Sequence, residues 1–306
     1  MDQVLIIGSS AAGISAAIYC ARRGIMPRVI SYDAGGEMLL SGEIGNYPGV
    51  GMTDGWKLTE GFVNHARLYD IHPELGLTVT GLVVGEKGFS VQAKAGDEDR
   101  IYESRTIIIA TGGHPKELGI PGEKEFRGKG ISYCTVCDGP VFKGKTTVTI
   151  GGGDSANESG IMLNDIAEHA YVLTKNPDMK GDASLIARLK NSSRVTLIPN
   201  AMSKRIMGDA FVSGIEYEDT ITHETKQLKT NGVFIHIGLI PNTGFVPSTM
   251  ERNERGEIVV DKIMCTSVPG IFAAGDVTDT PYKQIGIAAG QGISAALSCL
   301  DYLNKH

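Results

Sequence analysis

The sequence predicts an α/β protein of two domains, with the second domain inserted into the first. The first observation is a repeated element, in which an apolar strand, a turn of small residues and a helix occur at 4–19 and again at 147–169. The second is that each copy runs on into another β-rich run, at 27–31 and 170–174, as a βαβ unit requires. Short buried strands then follow in each half. These observations predict two Rossmann-like (three-layer ββα-type) dinucleotide-binding domains.

The first copy reads VLIIGSSAAG at 4–13, with a helix beginning at Ile14, and the second reads TVTIGGGDSA at 147–156, with a helix through His169. Small residues let the backbone approach a pyrophosphate, which lies at the positive end of the following helix. One such turn is weak evidence, because any tight βα turn favours glycine. Two copies in the same strand, turn and helix context indicate two nucleotide sites.

The later strands are IIIATGG at 107–113, GVFIHIGLIPN at 232–242 and GIFAAGDV at 270–277. Strands of open α/β sheets deliver nucleotide contacts from their carboxyl ends. The polar segment 246–257 is interpreted as part of the return to the first domain, which ends in a helix over Ile285–Leu303. The predicted division is therefore 1–113 with 245–306 for the first domain and 114–244 for the inserted one.

The composition excludes several classes of function. The chain has 306 residues, a formal net charge of −6 and a pI near 5.7, so it lacks the basic surplus that nucleic acid or an anionic membrane surface attracts. No basic leader precedes the first strand, and no stretch approaches the roughly 20 apolar residues of a membrane span. We expect a cytoplasmic protein.

The stretch SYCTVCDG at 132–139 places Cys134 and Cys137 around two residues. A zinc site needs four ligands, and neither a second CxxC nor a spaced His pair is present, so we assign no metal. The five cysteines are too few and scattered for a disulfide framework. A redox-active dithiol is the leading interpretation, ahead of a metal clip or a structural disulfide.

Taken in order, several motifs resemble those of the low-molecular-weight thioredoxin reductases. They are GSSAAG, GGEM at 35–38, NYPG at 46–49, ATGG, GKGISYCTVCDG at 128–139, GGGDSA and IFAAGDV followed by KQIGIAAGQG up to 292. The resemblance covers nearly the whole chain. It implies a discontinuous FAD domain, an inserted NAD(P)H-type domain carrying the CxxC, a homodimer, and thioredoxin or a similar small disulfide protein as partner.

The resemblance also implies roles for residues. Cys134 would attack the partner, Cys137 would face the flavin and Asp138 would manage the thiol proton, although Asp138 also suits a turn cap. The expected FAD-binding residues are Gly8, Ser10, Ala12, Gly13, Gly36, Glu37, Met38, Asn46, Thr111, Gly112, Gly275, Asp276, Lys283, Gln284 and Ile285. The expected nicotinamide-nucleotide residues are Gly151, Gly153, Asp154, Ser155, Lys175 and Lys180.

The sequence departs from the family at three places. Ser10 replaces the middle glycine of the FAD turn, where its hydroxyl could replace a hydrogen bond. The His-Arg-Arg cluster that grips the 2′-phosphate of NADPH is replaced by LTKNPDMK at 173–180, and Lys lacks the planar fork of Arg. The donor therefore stays open among NADPH, NADH, ferredoxin and a deazaflavin. Third, Cys20, Cys265 and Cys299 have no family role and are interpreted as buried small hydrophobes.

Three functions fit these features. The first is a flavin-dependent disulfide reductase that serves thioredoxin or a glutaredoxin-like protein. The second is a flavin-dependent dithiol oxidase, in which the CxxC takes electrons from a small dithiol and reduced FAD passes them to oxygen. The third is a nucleotide-binding regulator without turnover, against which the intact Cys134, Cys137 and Asp138 argue.

Overall fold

The computed structural model describes residues 1–306, in which strands and helices follow one another as the predicted βαβ units require. The strands are β1 Asp2–Ile7, β2 Arg28–Ile30, β3 Glu43–Ile44, β4 Thr53–Asp54, β5 Thr78–Gly85, β6 Gly88–Ala95, β7 Glu98–Ile109, β8 Gly113–Pro115, β9 Ile131–Ser132, β10 Thr146–Ile150, β11 His169–Leu173, β12 Val195–Ile198, β13 Ala201–Gly208, β14 Val212–Asp219, β15 Thr225–Lys229, β16 Gly232–Ile235, β17 Leu239–Pro241 and β18 Ile271–Ala273. The helices are α1 Ala11–Arg22, α2 Gly55–Arg67, α3 Thr135–Asp138, α4 Asp154–Ile166, α5 Ala183–Lys190 and α6 Ile285–Lys305. None of the helices combines the length and the apolar character that a bilayer crossing requires.

The chain forms two compact units. The first unit comprises 1–41, 47–114 and 240–306, and the second comprises 42–46 and 115–239. The predicted divisions, after residues 113 and 244, lie one and five residues from the corresponding ends of these segments. The short segment 42–46, which contains Asn46, belongs to the second unit, and nothing in the sequence indicated this placement.

The sheet of the first unit has the order β2-β1-β7-β6-β5, with β18 also beside β7. The strands β1, β2, β7 and β18 run parallel, and β5, β6 and β7 form an antiparallel meander. The apolar run of β1 is buried on both faces, as central strands of parallel sheets are. Helix α6 lies close against α1, because a Cβ at Gly292 would meet the carbonyl oxygen of Ala12 at 2.0 Å.

The sheet of the second unit is entirely parallel, with the order β12-β11-β10-β16-β9. An antiparallel sheet of β13, β14 and β15 accompanies it. Parallel strands need crossover connections, and α4 supplies the crossover between β10 and β11. The mixed α/β, Rossmann-like fold class predicted from the sequence is confirmed.

The observed helices differ from the predicted ones at their ends. The first helix begins at Ala11 instead of Ile14, because the small residues of the turn already have helical geometry. The helix predicted to run through His169 ends at Ile166, since Ala167 is extended and His169 already pairs with Thr146 in the sheet. The last helix continues to Lys305, two residues past the predicted end.

Candidate active site

The first nucleotide turn joins β1 to α1 in the first unit. Gly8 has a φ of +111°, and a Cβ there would lie 2.3 Å from the carbonyl oxygen of Ala110. At Gly13 a Cβ would lie 1.8 Å from the carbonyl oxygen of Gly8. Both positions therefore require glycine. The first N–H groups of α1, which have no acceptor within the helix, are left for a phosphate, so the turn fits the pyrophosphate of FAD.

The hydroxyl of Ser10 bonds to the loop that follows β2. It donates a 2.7 Å hydrogen bond to the carbonyl oxygen of Gly35, and it makes no cap bond to α1. Asp33 orders the same loop, because its Oδ1 accepts from the N–H groups of Gly35 and Gly36 at 3.0 and 2.6 Å. A single 3-10 turn, Gly36–Met38, follows Gly35 directly and includes Glu37. Sequence reasoning missed Asp33, although an acid soon after the second strand was a usable signal.

The carboxyl end of β18 brings two further predicted residues to the first unit's nucleotide turn. Gly275 has a φ of +82°, and a Cβ there would approach the side chain of Ala12 at 3.1 Å. Its N–H donates to Oε1 of Gln291 at 2.8 Å. Asp276 is half-buried, and burial raises the pKa of its carboxyl, opposed by the charge of Lys283. Asp276 makes no hydrogen bond in the structure, so its carboxyl is available to a ligand group.

Lys283 is held by protein groups. Its ammonium lies 2.9 Å from Oε1 of the buried Glu257 and 2.5 Å from the carbonyl oxygen of Thr278. Gln284 is the N-cap residue of α6, and Ile285 is the first residue of that helix. The ammonium of Lys283 is thus engaged by protein oxygens, and its charge acts on the carboxyl of Asp276.

A reciprocal pair of hydrogen bonds joins the end of β7 to the residue after β17. The hydroxyl of Thr111 donates to the carbonyl oxygen of Asn242, and Nδ2 of Asn242 donates to the carbonyl oxygen of Thr111, both at 2.8 Å. Oδ1 of Asn242 also lies 2.8 Å from Nδ1 of His114. Gly112 has a φ of +62° within this arrangement. Asn242 is a second site residue that the sequence did not single out.

We predict that Gly13→Val abolishes FAD binding by the first unit. The side chain would collide with the backbone of Gly8 and drive apart the strand end and the helix start that form the phosphate turn. The protein should be purified colourless, with at least a 100-fold weaker FAD affinity, on the order of several lost phosphate hydrogen bonds. The flavin absorbance per chain measures this, and Gly61→Ala in α2, where φ is not positive and a Cβ meets nothing within 4 Å, is the control. A yellow Gly13→Val protein would disprove this assignment.

The second nucleotide turn joins β10 to α4 in the second unit. A Cβ at Gly151 would lie 2.3 Å from the carbonyl oxygen of His236, and Gly153 is the N-cap residue of α4. Oδ1 of Asp154 accepts from the N–H of Asp182 at 2.7 Å. Ser155 follows in the first turn of α4 and is exposed. The predicted residues of this turn therefore lie together, while Asp154 organises the protein's own loop.

The segment after β11 lies against that turn. The N–H of Lys180 donates to the carbonyl oxygen of Gly152 at 2.7 Å, and a Cβ at Gly152 would meet side-chain atoms of Thr174 and Asn176 at 2.5 and 2.7 Å. The side chains of Lys175 and Lys180 are exposed and have no acidic partner, whereas Asp178 pairs with Lys190 at 3.2 Å. A neutral hydroxyl and amide thus lie beside the turn, with two unpaired lysines near by in the sequence.

The cysteine pair lies in the second unit, at the short helix α3. Cys134 and Cys137 form a disulfide with a Cα–Cα distance of 5.3 Å, and both are partly buried. Cys134 is the N-cap residue, and its Sγ accepts from the N–H of Cys137 at 3.2 Å. Val136, between them, is 59% exposed, so a partner protein can reach this turn. A hydrogen bond to Sγ also stabilises the thiolate that forms when the disulfide is reduced.

Asp138 follows the pair and is hydrogen-bonded to Ser132, whose Oγ lies 2.5 Å from Oδ2 of Asp138. Burial raises the pKa of the Asp138 carboxyl, the bond from Ser132 opposes this, and the charge of Glu43 adds to the increase. Ser132 Oγ also accepts from the N–H of Cys134 at 3.0 Å. A carboxyl with a raised pKa, linked to the redox turn through one hydroxyl, suits proton transfer to and from a thiol.

The other cysteines are outside both sites. Cys20 and Cys299 are fully buried, and burial raises the pKa of each thiol to about 12. Cys265 differs from expectation, because it is only partly buried. It lies in a turn where its N–H donates to Oδ1 of Asp261 at 2.9 Å. Burial also raises the pKa of Cys265, so none of the three is an activated thiol.

Comparison with known proteins agrees with this geometry. The family model described as pyridine nucleotide-disulphide oxidoreductase matches residues 2–292. A relative from Bacillus subtilis (strain 168), named NADH dehydrogenase, is 43% identical over 303 residues, which is 99% of this chain and 59% of that protein. The chain thus spans about three fifths of the relative's length.

Two solved structures cover nearly all of both chains. Thioredoxin reductase from Streptococcus pyogenes MGAS5005 has a TM-score of 0.90 and 32% identity over 99% of this chain and 98% of that one. A ferredoxin-flavin thioredoxin reductase from Clostridium acetobutylicum has a TM-score of 0.54 and 29% identity over 100% and 99%. The chain therefore belongs to the pyridine nucleotide-disulphide oxidoreductases, and its fold is similar to that of the thioredoxin reductases.

Proposed function

We propose that this chain is a flavin-dependent disulfide reductase that passes electrons from a reduced nicotinamide through FAD and the Cys134–Cys137 disulfide to thioredoxin or a similar small redox protein. The observation that carries the proposal is the partly exposed disulfide turn with the partly buried carboxyl of Asp138 beside it. FAD, which the turn at Gly8 and Gly13 and the strand end at Gly275 would hold, would supply two-electron transfer between the donor and this disulfide. Everything after that step is thiol chemistry of the chain itself.

The second half-reaction uses three side chains. The thiolate of Cys134 attacks the partner's disulfide and forms a mixed disulfide, with one partner sulfur leaving as a thiolate. The thiolate of Cys137 then attacks Sγ of Cys134, which releases the second partner sulfur and re-forms the Cys134–Cys137 disulfide. Asp138 accepts a thiol proton through this cycle and returns it to a departing sulfur. Two electrons leave the dithiol and pass to the partner. The partner's two sulfurs take up two protons, one returned by Asp138 and one from water, which replaces the proton that Cys134 released when its thiolate formed.

For the donor, we propose NADH in preference to NADPH. No guanidinium group occurs in the segment 174–182 beside the second nucleotide turn, so a 2′-phosphate has no bidentate partner there. The hydroxyl of Thr174 and the amide of Asn176, which lie against Gly152, suit the hydroxyls of a ribose. The Bacillus subtilis relative, 43% identical, is named NADH dehydrogenase.

We predict that NADH reduces the enzyme with a kcat/KM about 10- to 100-fold above that of NADPH, which is the range of a missing hydrogen bond to a charged group. Replacing both Lys175 and Lys180 by Ala should lower the remaining NADPH activity further and leave the NADH activity within about twofold, since only NADPH carries the extra phosphate. Lys87→Ala, an exposed lysine on the first unit, is the control. Anaerobic stopped-flow bleaching of the flavin band measures each rate. Equal rates with the two nucleotides would disprove the preference.

A non-nicotinamide donor is the second candidate, favoured by the similarity to the ferredoxin-flavin enzyme of Clostridium acetobutylicum. The same bleaching experiment separates the two. If neither nucleotide reduces the flavin while a dithiol still does, the donor is a ferredoxin or a deazaflavin. If the dithiol-reduced protein then consumes oxygen in turnover, the direction is that of an oxidase.

A homodimer and a cytoplasmic location belong to the same proposal and rest on the resemblance to thioredoxin reductases. Sedimentation equilibrium of the FAD-loaded protein measures the oligomeric state directly. A mass of about one chain at micromolar concentration would remove the dimer from the proposal.

A further inference from the structure

A row of buried hydroxyls connects the redox turn to His236 in the second unit. The hydroxyl of Thr135, between the two cysteines, lies 2.7 Å from Nε2 of His236 and 2.7 Å from Oγ of Ser159. Oγ of Ser159 lies 2.9 Å from Oγ1 of Thr149. The three hydroxyl residues are buried, and Thr149 is fully so. The row thus links α3 to the strand β10, the helix α4 and the residue after β16.

Counting hydrogens fixes the direction of the row. Each hydroxyl carries one hydrogen, and Thr149 makes no other side-chain hydrogen bond. If Thr149 donates to Ser159, Ser159 to Thr135 and Thr135 to Nε2 of His236, each of the three hydroxyl hydrogens has an acceptor. The opposite direction leaves the hydrogen of Thr149 buried without one, which is costly. His236 is therefore the terminal acceptor, with its proton on Nδ1.

The imidazole has the properties that this direction needs. Burial lowers the pKa of His236 to about 4, so the ring is neutral at physiological pH and Nε2 can accept. The backbone of His236 is fixed as well, since its N–H donates to the carbonyl oxygen of Ile150 at 2.8 Å. The ring is thus a rigid anchor point for the hydroxyl of Thr135.

The anchored residue lies at a sensitive position. Thr135 is the first residue of α3, and the N–H of Cys137 at the other side of this single turn donates to Sγ of Cys134. While the disulfide is intact, the S–S bond itself closes the turn. After reduction that covalent link is gone, and a one-turn helix is not stable by itself. The hydrogen bonds of Thr135 then remain to keep the N–H of Cys137 directed at the Cys134 thiolate.

We propose that His236 is a positioning residue that, through Thr135, holds the reduced CxxC turn in its reactive geometry and so favours the dithiol over the disulfide. The inference rests on the proposed function, because it assumes that Cys134 and Cys137 cycle between these two states. It concerns Thr135 and His236, to which the sequence alone assigned no role.

The test compares Thr135→Val, which keeps the shape and removes the hydroxyl, with His236→Leu, His236→Gln and the double variant Thr135→Val with His236→Leu, all as FAD-loaded protein. Each protein is equilibrated anaerobically in dithiothreitol buffers, quenched and alkylated, and the fraction of reduced Cys134–Cys137 is measured by mass spectrometry. The rate of Cys134 alkylation by iodoacetamide against pH gives the thiol pKa. His169→Leu is the matched control, because its Nε2 also bonds a threonine, Thr196, away from the redox turn.

Thr135→Val and His236→Leu should each lower the equilibrium constant for reduction by about three- to tenfold, the size of one hydrogen bond, or about 15–30 mV for this two-electron couple. The alkylation pKa of Cys134 should rise in both. The equilibrium constant of the double variant should match those of the single variants. The equilibrium constant of His236→Gln should lie within about twofold of the original value, because its amide oxygen can accept from Thr135. Unchanged equilibria, additive effects or an equal change in His169→Leu would overturn the inference. If the original protein cannot be reduced by dithiothreitol at all, the proposed function fails before any variant is compared.

Discussion

Replacing Cys137 with serine should convert the enzyme into a trap for its partner. In the reduced variant the Cys134 thiolate can still attack a disulfide, but no second thiol is present to resolve the mixed disulfide. Turnover with a thioredoxin-like substrate should fall by at least about 1,000-fold, as when one member of a catalytic set is removed. A covalent complex with one partner per chain should accumulate, and it should dissociate on addition of dithiothreitol.

Reaction with the chromogenic disulfide 5,5′-dithiobis(2-nitrobenzoate) gives the stoichiometry. The prereduced original protein should release two thiolates rapidly, Cys137→Ser one, and Cys134→Ser none on that time scale. Cys20 and Cys299 will not interfere, because they are buried and burial raises their thiol pKa to about 12. Cys265→Ser is the control for the partly buried thiol. Rapid attack by Cys134→Ser together with none by Cys137→Ser would show that Cys137 attacks the partner and Cys134 resolves the mixed disulfide.

Local sequence patterns were sufficient for the fold. The apolar runs of β1 and β10 and the small-residue turns after them predicted the parallel strands of both sheets, because such strands are buried on both faces and need crossover helices. Helix ends were less predictable. Ala167 is compatible with a helix by propensity, and α4 ends there because the following residues pair in the sheet, which is a tertiary effect.

The sequence predicted site residues whose type is required by the local backbone. It did not predict residues whose hydrogen-bond partner lies far away in the sequence. Gly8 and Gly13 follow from the turn they form. The bond from Ser10 to Gly35 and the pair formed by Thr111 and Asn242 depend on how the chain returns, across 25 and 131 residues. His236 is a further case, since its partner Thr135 is 101 residues away and no spacing rule relates them.

Asp138→Asn should lower the rate of thiol–disulfide exchange by about 100-fold, the lower part of the range for general acid–base catalysis. The amide keeps an oxygen that can accept from Ser132, so the turn should be preserved while proton transfer is lost. In the original protein, exchange from the prereduced enzyme should weaken as the pH falls through the raised pKa of Asp138, because the carboxylate is the base. This acidic limb should lie above 3.8, the ordinary pKa of the group, and should be absent from the variant.

The same carboxyl makes an opposite prediction for stability. Because burial raises the pKa of Asp138 in the folded chain, the native state binds the proton more tightly than the unfolded state does. The free energy of unfolding should therefore decrease as pH rises from about 3.8 through the raised pKa, and it should carry a constant penalty above that window. Asp138→Asn should be more resistant to urea than the original protein at pH 7, and equally resistant below the window. A variant that is inactive and also less stable at neutral pH would show that Asp138 is a structural cap of the turn. Lower activity with higher stability would show that the charged carboxyl of Asp138 destabilises the fold and is kept because the reaction needs it.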